Sequence, residues 1–246
     1  MNPLRPITPR ILLLELAGNA VLALCAALWL EIPDSHAWQL ILSVVLALAI
    51  AATFLWLHTA ILHLLRQPLV PTRIWLGAIL LGIWLLLLQL PLAAAAHLDY
   101  DAMRRAGYWN SQLDPHLRAT LTFERLLAWQ NDATQVFLWA ILPALLLPFL
   151  IETVTTGIAR PAWRAALRTL LRWQHWLSVI AISWSGNWIV TRLIDWHPSV
   201  SVRGELLSAA LRLSLAYLIV VLLFTAVLAV VAHLLARNDT ARNAAA

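Results

Sequence analysis

The sequence predicts an all-α, polytopic transmembrane helix bundle of about six spans with both termini inside, and three observations predict it. First, 62% of its 246 residues are hydrophobic and 12% charged, with a mean hydropathy of +0.79. Soluble domains carry roughly 45–50% apolar and about 25% charged residues. Second, the apolar residues gather in runs near or beyond the ~20 that a helix needs to cross roughly 30 Å of hydrocarbon. Third, arginine recurs between those runs in the alternating pattern that membrane topology produces. No water-soluble core encloses so much apolar surface, so lipid is the expected solvent.

Span one covers 11–30, after Arg5 and Arg10. Its length, and Glu15 interrupting the apolar run, mark a retained helix rather than a cleaved leader. Leu24 before Cys25 is also too large for a lipoprotein cleavage box. Span two, 37–65, follows a polar turn holding Glu31, Pro33, Asp34 and His36. Span three, 74–96, follows Arg66, Pro68, Pro71 and Arg73.

The connection 97–133 is expected as an outer loop carrying one helix, with Asp114 as N-cap, Pro115 in the first turn and an end near Trp129. Span four, 134–152, contains Pro143 and Pro148, which remove backbone donors and kink a helix. Such a kink survives in lipid only where neighbouring groups satisfy the freed carbonyls. Span five, 173–194, is the most polar. Span six, 206–236, exceeds the hydrocarbon thickness, so it tilts or sends its first turns, with Arg212, into the interface. All six belong to one transmembrane domain.

Orientation follows from arginine placement. Arg5, Arg10, Arg66, Arg73, Arg160, Arg164, Arg168, Arg172, Arg237 and Arg242 all fall in connections on one side, which is therefore expected to be cytoplasmic. Trp29, Trp38 and Trp196 lie near the opposite ends, and Trp75, Trp163, Trp173 and Trp176 near the inner ends, where indole rings favour the interface. The expected location is a prokaryotic plasma (inner) membrane.

Composition also removes chemistries. All seventeen basic residues are arginine, which excludes a phosphate-loop lysine and a lysine Schiff base. Cys25 alone makes no disulfide framework, CxxC pair, iron–sulfur cluster or Cys-rich zinc site. The pI of about 10.6 does not signal nucleic acid, because the arginines are spread between spans rather than gathered in one patch.

Four groups of residues are candidates for function. Arg160, Arg164, Arg168 and Arg172 recur at i, i+4 spacing over 158–172, with Trp163, Ala166, Leu170 and Trp173 opposite. This reads as an amphipathic helix on the cytoplasmic leaflet, attracted to anionic headgroups by about 1 kcal/mol per arginine. Glu15 and Asn19, four apart in span one, and Ser183, Asn187 and Thr191 in span five form polar intramembrane faces. For these the simpler expectation is that Glu15 reaches back to the interface and that the Ser and Asn groups bond between helices.

His97, Asp99 and Asp101, with Asp114, His116, Asp195 and His197 on the same outer side, are candidate metal ligands by residue type, but they lack a recognised spacing. His58, His63, His175 and His233 sit in the inner half, where an axial haem pair would need two histidines facing each other. No cofactor is expected. HExxH, GxSxG and Gly-rich phosphate motifs are absent from the sequence. The expected function is a non-catalytic structural, accessory or assembly component whose partners are membrane lipids and other membrane proteins or its own copies. A small-solute permease, using the polar faces and the prolines of span four, is the first alternative. An enzyme acting on a lipid or envelope substrate through the outer His and Asp groups is the second.

Overall fold

In a computed structural model the described residues are 8–33, 35–66, 71–158, 160–195 and 202–243, and the regular elements among them are all helical. α1 spans Pro9–Leu30, α2 Ala37–Arg66 and α3 Pro71–Tyr100. Three shorter helices follow: α4, Ala102–Gln112; α5, Pro115–Thr120; and α6, Phe123–Val136. A π turn at Phe137–Ile141 joins α6 to α7, Leu142–Thr156. α8 is Arg160–Leu170, α9 Trp173–Ile194 and α10 Val202–Asn243. Among the described residues six helices are long and apolar enough to cross a membrane, with α6, the π turn and α7 counting as one of 34 residues. The chain is a multi-pass membrane protein.

The stretch 97–133 differs most from expectation. Instead of a loop with one helix it is helical nearly throughout, because α3 runs on to Tyr100 and α4, α5 and α6 follow with short breaks. Asp114 does cap α5, accepting from the His116 N–H at 2.9 Å with Pro115 in the first turn. The helix expected to run to Trp129 is cut at Leu121, because Thr122 caps a new one by accepting from the Arg125 N–H. The long apolar helix that contains 134–152 therefore starts at Phe123.

The prolines of that span are handled by two devices. The π turn, whose Leu142 N–H bonds Phe137 O, immediately precedes Pro143, so the backbone changes register where a donor is lost. Pro148 has no N–H for the carbonyl four residues back, that of Ala144. His175 of α9 supplies the donor, its Nε2–H meeting Ala144 O at 2.7 Å. A neighbouring helix thus satisfies the freed carbonyl.

Burial is lopsided. The core draws on Ile11 of α1, Ile61 and Leu65 of α2, Leu80 of α3, Ile151 and Val154 of α7, Val179 of α9 and Val231 and Leu235 of α10. These lie where α1, α3 and α9 begin and where α2, α7 and α10 end, the end rich in arginine. Small residues bring the backbones together there: Ala144, Ala166 and Ala229 are fully enclosed. A Cβ on Gly77 of α3 would lie 2.8 Å from Val154 O, a backbone atom that cannot step aside. Toward the far end large apolar side chains are left exposed on three helices. No residue of α2 from Ala37 to Trp56 is buried, and Leu48, Leu90 and Leu215 are exposed on α2, α3 and α10.

Replacing His175 with Leu leaves Ala144 O unpaired inside the bundle, and thermal unfolding in detergent is expected to register about 1–3 kcal/mol of lost stability. In a Pro148→Ala background the backbone N–H returns to Ala144. There the same His175 replacement is expected to cost much less.

Candidate functional site

Two polar centres are built into the arginine-rich half of the bundle. The first lies where α1, α2 and α10 meet. Glu15, two turns into α1, is fully enclosed, so it does not reach the interface as expected. Asn19, one turn on, donates Nδ2–H to Glu15 Oε2 and to the Glu15 carbonyl, each at 2.8 Å. The i, i+4 spacing predicts that pairing, since such residues stack on one helix face.

His58 of α2 brings Nε2 to 3.9 Å from the same Oε2. Its Nδ1 lies 2.9 Å from Phe54 O. A carbonyl only accepts, so Nδ1 carries the hydrogen, and Nε2 is the ring nitrogen nearer Glu15. From α10, Tyr217 donates its hydroxyl to the Leu16 carbonyl. Glu15 Oε1 is buried without a hydrogen-bond partner.

The second centre joins α2 to α7. Thr59, His63 and Arg66 fall at i, i+4 and i+7 on one face of α2. Arg66 donates Nη2–H to Glu152 Oε1 of α7, and both side chains are almost wholly enclosed. Thr156 donates its hydroxyl to Glu152 Oε2 at 3.3 Å. Thr59 is fully buried and His63 nearly so. Beside them Trp84 of α3 donates Nε1–H to Thr153 Oγ1 at 2.7 Å.

Sequence reasoning counted Arg66 only toward topology and used Glu152 only to bound a span. The usable signal was an acid and an arginine at span ends on the same side, with a polar i, i+4, i+7 face leading to one of them.

The other candidates are not brought into either centre. α9 packs on α10, α7, α8 and the π turn, while α1 packs on α2 and α10, so the α9 polar face does not join Glu15 and Asn19. Ser183 and Asn187 are half-buried, and Thr191 returns its hydroxyl to Asn187 O of its own helix at 2.9 Å. A cavity of about 580 Å³ lies between α1 and α2, lined by Gly18, Cys25, Trp29, Leu46, Thr53 and Trp56 among others. It is an apolar groove that neither Glu15, Asn19 nor Asn187 lines.

α8, Arg160–Leu170, lies within the arginine-striped stretch 158–172. Ala165, Ala166 and Thr169 are buried, and the helix packs on α7, α10 and α9, so that face is covered by protein. Trp163 packs at a tilt against Phe149 of α7, with centroids 5.3 Å apart. Arg164 and Arg168 stay exposed. The helix ends at Leu170, so Arg172 leaves the stripe and sits at the N-cap position of α9. The backbone of Arg160 begins α8, and its side chain is outside the described residues.

His97 and Asp99 are exposed near the end of α3. Two residues apart on a helix they point to opposite sides, and Asp101 is paired with Arg104 at 3.0 Å. His197 lies outside the described residues. Among the described residues no three His, Cys, Asp or Glu side chains gather as a metal site. The histidines weighed for haem also have separate neighbours: Glu15 for His58 and Ala144 for His175.

No family model, curated protein or solved structure matches the chain.

Because the Arg66 and Glu152 charges are enclosed together, removing one strands the other. Glu152→Leu or Arg66→Leu alone is expected to cost about 3–5 kcal/mol, whereas the double replacement recovers most of that loss. Thermal unfolding of the four proteins in one detergent measures the cycle.

Proposed function

We propose that the chain is a non-catalytic accessory or assembly component of a prokaryotic plasma membrane, with both termini and the arginine-rich end in the cytoplasm. The observation that carries this reading is the lopsided bundle. One end is closed by a core to which α1, α2, α3, α7, α9 and α10 all contribute, while the far halves of α2, α3 and α10 leave apolar faces bare. Apolar faces without partners at membrane depth offer surface to lipid tails or to further helices, and small residues already mediate such contacts in the closed half. The arginine distribution supports the orientation.

The exposed Arg164 and Arg168, with Arg160 and Arg172 nearby, support a role at the anionic cytoplasmic headgroups. They do so as arms of a helix braced on α7 rather than one sunk into the leaflet. The permease reading has one observation in its favour, the enclosed carboxyl of Glu15. An enzymatic reading has no equivalent support.

In a Cys25→Ala background, single cysteines at Leu48, Leu90 and Leu215 are expected to cross-link in native membranes to discrete products. Light scattering in mild detergent should then give a protein mass above the 27.5 kDa of one chain. A monodisperse monomer with no discrete product contradicts the proposal. Replacing Arg160, Arg164, Arg168 and Arg172 together with Gln is expected to lower the anionic phospholipid that co-purifies with the protein, leaving zwitterionic lipid unchanged. Quantitative lipid mass spectrometry reads both.

A further inference from the structure

We propose that Glu15 and His58 form a one-proton binding site in the seam between α1, α2 and α10. The inference rests on how the groups are placed, independently of any reading of the far-end faces. A carboxylate sealed from solvent needs a cation or several donors to remain charged. Glu15 has one donor, Asn19, on Oε2, and its Oε1 has none. The groups facing it from its neighbours are His58 on α2 and Tyr217 on α10, whose hydroxyl is committed to Leu16 O. Arg66, farther along α2, is engaged with Glu152.

His58 Nε2 at 3.9 Å is therefore the partner that decides the charge of the centre. With one proton between them the pair is neutral, either as carboxylic acid with imidazole or as carboxylate with imidazolium. Removing that proton leaves a carboxylate beside a neutral ring, and adding a second leaves an imidazolium beside a neutral acid. Both outcomes enclose a net charge, so the site favours one proton, carried by Glu15 or by His58. His58 is 12% exposed while Glu15 is sealed, so the imidazole is the more accessible of the two groups.

The site is also positioned to link proton occupancy to helix packing. Gly18, one turn beyond Glu15, lies against the side chain of Leu57, and a Cβ there would meet Leu57 Cδ2 at 2.5 Å. The α1–α2 contact beside the pair is therefore close, and a change of charge acts on both helices.

Dicyclohexylcarbodiimide adds to protonated, membrane-enclosed carboxyl groups and gives a stable acylurea that peptide mass spectrometry locates. With full-length protein in lipid nanodiscs, an adduct at Glu15 is expected at low pH and lost as pH rises, with Glu152 unlabelled throughout. Glu15→Gln, which keeps the shape and the Asn19 contact, should abolish the adduct. In His58→Phe the pH at which labelling is lost should move by about one unit or more, as for a strongly coupled pair. Absence of an adduct at Glu15 at every pH, labelling that does not change with pH, or an unmoved profile in His58→Phe would each overturn the proposal. The first two outcomes are read on the unaltered protein and do not depend on a variant folding.

Discussion

Lipid offers no hydrogen bonds, so a backbone polar group within the spans must find its partner inside the protein. The arrangement of this bundle depends on that constraint. His175 of α9 stands where it does because Pro148 strips Ala144 of its donor. The same logic ties the other helices in pairs. Trp29 of α1 donates to Ser43 of α2, Trp84 of α3 to Thr153 of α7, Tyr217 of α10 to Leu16 of α1, and Arg212 of α10 to the Ile194 carbonyl at the end of α9. Each bond crosses a helix boundary, and several use a backbone carbonyl as acceptor. Leucine packs as well on lipid as on leucine, so apolar side chains alone do not choose a neighbour. The polar clasps discriminate between arrangements that burial leaves nearly equal in energy.

Small residues help the bundle close. Gly77, Ala144, Ala166 and Ala229 line the packed region, and at Gly77 the backbones of α3 and α7 come so close that a Cβ would lie 2.8 Å from Val154 O. The far halves of α2, α3 and α10 carry small residues as well, among them Ala47, Ala93 and Ala210, so residue size alone does not set where the core lies. On α10 the Arg212 guanidinium is folded against Ile194 O and Ser208 O.

The spans were legible because hydrophobic length is a local property. The Glu15 and Asn19 pairing was legible for the same reason, both residues lying on one helix within a single turn. What could not be read is whatever depends on a second helix. Nothing in the sequence around His175 indicates that it answers a proline in another span, although the proline itself shows that some donor is required. His58 and Tyr217 come to Glu15 from α2 and α10, and Arg66 to Glu152 across 86 positions of sequence. The stretch 97–133 was misread for a different reason. Its mixed polarity resembles a loop, whereas short caps such as Asp114 and Thr122 allow it to remain helical with brief interruptions.

The two enclosed carboxyl groups show how the choice of partner separates a brace from a responsive centre. Glu152 faces a guanidinium, which stays protonated across the accessible pH range and presents a fork of donors matched to a carboxylate. The pair it forms is fixed in charge, and with Thr156 on the other oxygen it locks α2 to α7. Glu15 faces an imidazole, the side chain whose charge changes most readily near neutral pH, and retains an oxygen with no partner. Had the bundle required only a second brace between α1 and α2, an arginine at the His58 position would have supplied it. With an imidazole there, the charge of the α1–α2–α10 seam depends on a proton, while the α2–α7 seam beside it does not.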